Sequence, residues 1–130
     1  MARFVKISVL SMSRIWQGEH AVSNGEEADL QRMLAYIQQQ LDYVLPDQPD
    51  LIVFPEACDR FMFHSLEQRW SYYQVRGNRI RDYLCQVAKE HHCYIAYSAH
   101  RHVPEDKELP YRNSTQLINR NGEVEAIYDK

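Results

Sequence analysis

Asp50-Leu51-Ile52-Val53-Phe54-Pro55-Glu56 is a short apolar run that delivers a carboxylate from its end. Far along the chain, Tyr128-Asp129-Lys130 carries an ammonium group just after a turn-rich segment. A carboxylate half-buried beside Phe54 and Pro55 is pulled two ways, since desolvation raises its pKa and a nearby lysine lowers it. That balance suits general-base work. A cation beside it can hold charge that develops on a reacting oxygen or nitrogen. A thiol would complete the set as nucleophile, and the chain offers Cys58, Cys85 and Cys93. Their apolar or mixed surroundings read more simply as sites for small buried hydrophobes. Cys58 follows Glu56 by two residues, but neighbouring positions at a strand end project in directions set by the local turn, so it is not assigned as the nucleophile.

Metal chemistry has little support. The cysteine spacing fits no zinc pattern, and His91-His92-Cys93 supplies too few well-spaced ligands. His100-Arg101-His102 reads as a solvated loop rather than a metal or phosphate site. An odd cysteine count without a secretory signal does not read as a disulfide framework. Neither a metal nor another cofactor is expected.

The elements that must position these residues alternate in type. Residues 4–10 read as a strand, with Val5, Ile7 and Val9 on one face and Lys6 and Ser8 on the other. A loop follows, carrying Trp16, Gly18, His20 and Asn24-Gly25. Leu30, Met33, Leu34, Ile37, Leu41, Val44 and Leu45 then recur at helical spacing, with Asp29, Arg32, Gln38, Gln39 and Asp42 largely elsewhere. Ser23 or Asn24, followed by Glu26 or Glu27, reads as the cap, and Pro46 stops the helix. The apolar run 51–54, bounded by Pro49 and Pro55, fits a strand buried on both faces of a parallel sheet. A second helix is expected over residues 75–91 and another strand over 94–98. The charged stretch 100–113, holding Pro104 and Pro110, reads as loop. Residues 114–119 and 123–128 flank Asn121-Gly122, the strongest short hairpin signal.

Strand, helix, strand, helix, strand and hairpin imply an α/β sheet with helices packed on its faces. Leu30, Met33, Leu34, Ile37 and Leu41 are expected to cover a sheet containing Val5, Ile7, Val9, Ile52, Val53, Ile95 and Ala96. Ligands of open α/β sheets gather at the C-terminal ends of strands, where Glu56 is placed. Lys130 follows the last strand, so a cleft shared by the two groups, with roughly 4–6 Å between them, is expected. The aromatic stretch 60–73, with Phe61, Phe63, Trp70, Tyr72 and Tyr73, reads as core or contact cover rather than as a substrate wall.

Composition bounds the partners. The 130 residues make one domain with a modest core. A net charge of −3 with both signs interspersed leaves no footprint for nucleic acid. No apolar stretch approaches the ~20 residues that span a bilayer. Residues 1–6 show no signal-peptide pattern, so a cytoplasmic location is expected.

Order and spacing along the chain add an identification. The strand ending at Glu56, a helix, a further strand, Asn113-Ser114 opening a strand before Asn121-Gly122, and Tyr128-Asp129-Lys130 together resemble the amino-terminal half of a nitrilase-superfamily carbon–nitrogen hydrolase. The resemblance implies the first half of a nitrilase-like α-β-β-α layered sandwich, a mixed sheet ending in a C-terminal hairpin, over residues 1–130. It implies hydrolysis of small-molecule amides, carbamoyl compounds or nitriles by a Glu-Lys-Cys mechanism. Glu56 takes the base role and Lys130 the electrophilic role, and the nucleophilic cysteine is expected downstream of Lys130. The domain is then truncated after its lysine and inactive alone. Its uncovered apolar surface is expected to drive homo-oligomers or aggregation. Two other readings stand beside this one: a half-domain without chemistry that pairs with another chain, and a small α/β binding domain in which Glu56 and Lys130 are incidental.

Overall fold

The computed structural model describes residues 4–12 and 18–130; Trp16 lies outside them. The apolar run forms β2 (Leu51–Val53), flanked by β1 (Ile7–Val9) and β3 (Tyr94–His102), both parallel to it. Past β3 the sheet turns antiparallel through β4 (Tyr111–Ile118) and β5 (Val124–Asp129), giving the order β1-β2-β3-β4-β5. Among the described residues, three α-helices connect these strands: α1 (Glu26–Val44), α2 (Leu66–Arg76) and α3 (Arg79–His91). The result is the mixed α/β sheet with a C-terminal hairpin that the element order implies.

Alternation decides which side chains are covered. Ile52, Ile95 and Ile118 share one row across β2, β3 and β4, and all three are fully buried with Leu30, Met33, Ile37 and Leu41 of α1 and Ile80 and Leu84 of α3. The neighbouring row is different. Val9, Val53, Ala96, Leu117 and Ala126 lie side by side, and Val9 is 71% exposed. Val5, Ile7 and Val9 therefore do not pack beneath α1 as expected, and the regular strand is only three residues long. The half-exposed Ser8 takes the covered side in the row of Ile52, which leaves the branched residues on a face that no described helix covers. For the same reason Leu51 and Val53 are only half-buried.

Local signals explain most helix ends. Helix α1 stops before Pro46, which falls in a short 3-10 turn, Leu45–Asp47. Its start departs from the expected cap: Gly25 stands at the N-cap with no side-chain bond. Instead, Asp29 reaches back, taking hydrogen bonds from Ser23 Oγ at 2.6 Å and Asn24 N at 3.2 Å. Asp29 also accepts from His64 Nε2 at 2.9 Å and is fully buried, not on the solvent face. The helix expected over 75–91 begins later, at Arg79, because Gly77 breaks the chain at φ 49°. Before it lies α2, opened by a capping box in which Ser65 Oγ accepts from Gln68 N and Gln68 Oε1 accepts from Ser65 N.

The stretch 100–113 is shorter as a loop than expected. Strands β3 and β4 pair as far as His102 opposite Tyr111. Stacked rings sustain that pairing, with His102 and Tyr111 centroids 4.8 Å apart and Tyr111 against Trp70 at 4.8 Å. His100-Arg101-His102 is thus strand, not solvated loop. At the hairpin turn, Gly122 adopts φ 78° against α3.

Candidate active site

Glu56 sits where β2 has ended, at the start of a tight turn. Ala57 within that turn has φ 48°, Cys58 N donates to Ser98 O at 3.0 Å, and Arg60 N donates to Ala57 O at 3.1 Å. Below the turn lies a buried ion pair. Arg76 Nη1 meets Asp59 Oδ2 at 2.7 Å, and its Nη2 donates to the backbone oxygen of His100. Arg76 also stacks on Tyr73, 4.6 Å from the ring centroid. One guanidinium therefore ties the turn after Glu56 to helix α2 and to the end of β3. Burial alone would lower the Arg76 pKa, but Asp59 and the Tyr97 hydroxyl more than reverse this, so the group stays charged.

Lys130 arrives by strand register. Ser114 pairs with Asp129, and Lys130 N donates to Asn113 O at 2.9 Å, one step further along the same ladder. The Asp129 carboxylate is held by Ser114 Oγ, by Arg101 Nη2 at 3.0 Å and by Arg112 Nη1 at 3.1 Å. These contacts, led by the Ser114 and Arg101 hydrogen bonds, bring its pKa down to about 2.

The two sequence-predicted residues, 74 positions apart, meet directly: Lys130 Nζ donates to Glu56 Oε1 at 2.9 Å. Asn113 Nδ2 donates to the same oxygen at 2.6 Å. The hydrogen bonds from Lys130 and Asn113 hold the Glu56 pKa below its usual value, and Glu56 raises that of Lys130. The expected half-burial of Glu56 is not found: its side chain is 61% exposed, so burial raises its pKa less than these partners lower it. Exposed ion pairs contribute little to stability, so this contact does not hold the fold together.

A cavity of about 420 Å³ opens beside the pair, lined by Met33, Tyr36, Glu56, Arg60, Phe63, His100 and Asn113 among others. Phe61, Tyr72 and Tyr73 belong to the core, as the aromatic stretch leads one to expect, while Phe63 reaches the cavity wall. His100 was missed as a wall residue because charge and prolines made its segment read as loop; its Nδ1 lies 3.0 Å from Tyr73 Oη. Cys58 also lines the cavity, but burial, then the Asp59 carboxylate, pushes its thiol pKa well above the ordinary range. A thiol in that state is a poor nucleophile. Among the described residues there is no group of three or more potential metal ligands, and no helix is long and apolar enough to cross a membrane.

The mixed α/β sheet is the fold of a class of hydrolases. Residues 13–130 match the carbon-nitrogen hydrolase family, and the chain belongs to that family. Its fold is shared with a carbon-nitrogen hydrolase from Helicobacter pylori G27 at 14% identity and TM-score 0.62, covering 97% of this chain and 39% of that one. The C. elegans NitFhit protein aligns at 14% identity and TM-score 0.69, covering 97% of this chain and 27% of that one. An amidase from Nesterenkonia sp. AN1, with fluoroacetamide's acetamide moiety added covalently at its active-site cysteine, aligns at 16% identity and TM-score 0.67, covering 97% and 42%. The chain thus spans less than half the length of each of these structures. No curated protein matches the sequence.

Proposed function

We propose that this chain is the amino-terminal part of a thiol-dependent hydrolase of amide, carbamoyl or nitrile C–N bonds, with Glu56 as general base and Lys130 as electrophile. The observation that carries this reading is the 2.9 Å contact between Glu56 Oε1 and Lys130 Nζ, at the end of β2 and beside a cavity. The lowered pKa of Glu56 and the raised pKa of Lys130 keep the base unprotonated and the electrophile charged at neutral pH.

In an amide reaction, Glu56 takes the proton of a cysteine thiol as the sulfur bonds to the carbonyl carbon. The Lys130 ammonium stabilises the oxygen on which negative charge collects. Glu56 then returns its proton to the leaving amine as the C–N bond breaks, and water hydrolyses the thioester. Asn113, bonded to Glu56, is a positioning residue. The thiol comes from sequence that follows Lys130, by analogy with the covalently modified cysteine of the Nesterenkonia amidase. None of Cys58, Cys85 and Cys93 fills this place, since burial raises the pKa of each. The rest of the layered sandwich would cover the open row of Val9, Val53 and Leu117.

The test is ammonia release from a panel of simple amides, carbamoyl compounds and nitriles. A protein extended through a downstream cysteine should turn over, and its Glu56→Gln variant should lose activity by about 10²–10⁴-fold. Residues 1–130 alone should release none. Turnover by the short chain that vanishes in Glu56→Gln would overturn the placement of the nucleophile.

A further inference from the structure

His100 lines the cavity beside Glu56, yet the chemistry above gives it no part. It pairs with Asn113 across β3 and β4, and Lys130 N donates to Asn113 O at 2.9 Å, so the three residues form one row across β3, β4 and the end of β5. Directly opposite side chains share a face of the sheet. In the strand order β3 lies between β4 and β2, which leads to Glu56, so the Glu56–Lys130 contact spans the strand that carries His100.

The ring is held from two sides. Arg76 donates to the His100 backbone oxygen, and the imidazole stacks on Tyr73 with centroids 5.1 Å apart. Tyr73 Oη lies 3.0 Å from Nδ1. Burial, then the Asp59 carboxylate, raises the Tyr73 pKa, so its hydroxyl keeps its proton. Burial, with the charges of Arg76, Arg60 and Arg69, lowers the His100 pKa against the pull of Asp59, and the ring is neutral at pH 7. A phenol is the better donor of the two groups and an imidazole nitrogen the better acceptor, so Tyr73 donates to Nδ1 and the ring's own hydrogen sits on Nε2. Among the described residues Nε2 has no hydrogen-bond partner, and unlike His64 Nδ1 it is not shut off from solvent.

We propose that His100 contacts the substrate, its Nε2–H donating beside Lys130 to the carbonyl oxygen of an amide or carbamoyl compound, so that carbonyl compounds are preferred over nitriles. The role rests on the hydrolase reading above. A carbonyl oxygen has two lone pairs and takes two donors. A nitrile nitrogen has one, directed along the C≡N axis, and Lys130 alone serves it. Two inter-strand steps put His100 and Lys130 about 10 Å apart at the backbone, a gap that two side chains of this length close onto one oxygen. Being uncharged, the ring adds a donor without a second cation to compete with Lys130 for Glu56.

The experiment has a spectroscopic arm and a binding arm, both on the full chain. Long-range proton–nitrogen NMR of the histidine rings, with His100→Phe assigning the signal, should show a neutral Nε2–H tautomer at pH 7. Tyr73→Phe should turn it into a mixture of tautomers. Butanamide should shift the Nε2 resonance and bind about three- to tenfold less tightly to His100→Phe, while butanenitrile binding changes less than twofold. Circular dichroism checks that His100→Phe folds; if it does not, Tyr73→Phe serves and should weaken butanamide alone by about twofold or more. A charged ring or an Nδ1–H tautomer at pH 7, no measurable butanamide binding, or equal losses for amide and nitrile would overturn the assignment. Ammonia release by the extended protein separates the two proposals. If His100→Phe leaves its hydrolysis of butanamide unchanged, the His100 role falls and the hydrolase reading stands. If butanamide binds through His100 but no compound is ever hydrolysed, the hydrolase reading falls and the donor stands.

Discussion

Replacing Asp59 by Asn would expose how much of the site's frame depends on one buried charge pair. Asp59 and Arg76 have side chains 0% and 4% exposed and meet at 2.7 Å. Removing one partner of a buried pair strands the other's charge, at a cost of about 3–5 kcal/mol. Two features reduce that figure here. Asn keeps an oxygen that can accept from Arg76, which restores about 1 kcal/mol. Asp59 Oδ1 has no hydrogen-bond partner in the native chain, so losing its charge also removes a standing desolvation cost. A net loss of about 2–3 kcal/mol follows.

That is a large share of the ~6–20 kcal/mol expected for a domain of this size. With a urea m-value near ~2 kcal/mol/M, the unfolding midpoint should fall by about 1–1.5 M at unchanged m. The measurement is urea unfolding followed by circular dichroism, with Asp59→Leu, Arg76→Met and the double variant Asp59→Leu/Arg76→Met completing a cycle. The double variant should be more stable than either variant that leaves a lone charge. A midpoint for Asp59→Asn within about 0.3 M of the parent, or a double variant weaker than both, would refute the claim that the pair sustains the turn.

Three further outcomes can be checked on the same chain. Asp129 has its pKa lowered from 3.8 to about 2 in the fold, so its ionised form contributes stability above about pH 4 that is lost as pH falls toward 2; Asp129→Asn should flatten the change in urea midpoint between pH 6 and pH 3, and an unchanged slope would contradict it. Gly122→Ala places a Cβ 2.5 Å from the Cys85 carbonyl oxygen at a φ of +78°, and should lower the stability by about 1–3 kcal/mol in the same unfolding assay. Cys58 should resist iodoacetamide at pH 7.5 while the half-exposed Cys85 reacts, because burial holds the Cys58 thiol protonated; mass spectrometry showing Cys58 modified first would reopen it as a nucleophile.

What could be read from sequence was local. The run 51–54 between two prolines and the Asn-Gly turn each carry their own geometry, and β2 and the final hairpin form where these signals stand. The stripe of Leu30, Met33, Ile37 and Leu41 likewise faces the core. What could not be read depends on partners remote in the chain. Val5, Ile7 and Val9 look like a core face, yet the register of β1 on β2 turns Ile7 and Val9 to the uncovered side. Asp29 looks like a solvent residue, and Ser23, Asn24, Arg32 and His64, brought to it by the fold, together make its burial tolerable. His100 joins the cavity because β3 and β4 continue to pair through a segment whose charges and prolines look like loop.

The closeness of Glu56 and Lys130 has its own cause. Two exposed side chains attract each other weakly in water, so their mutual charge does not explain a 2.9 Å contact between residues 74 positions apart. The distance is imposed by the scaffold. Asn113 bonds Lys130 through its backbone and Glu56 through its side chain, at 2.9 and 2.6 Å, so one residue of β4 spaces both groups. Asp129, gripped by Ser114, Arg101 and Arg112, fixes the residue before the lysine. Arg76 and Asp59 fix the turn that follows the glutamate. For the proposed chemistry this matters more than the ion pair itself. A base that had to recruit its electrophile would spend ordering entropy at each turnover, whereas one held by strand register has that cost met on folding. Asn113→Ala should therefore free Glu56 from its spacer while the backbone bond to Lys130 remains, lowering kcat of the extended protein while leaving the unfolding midpoint of the chain nearly unchanged.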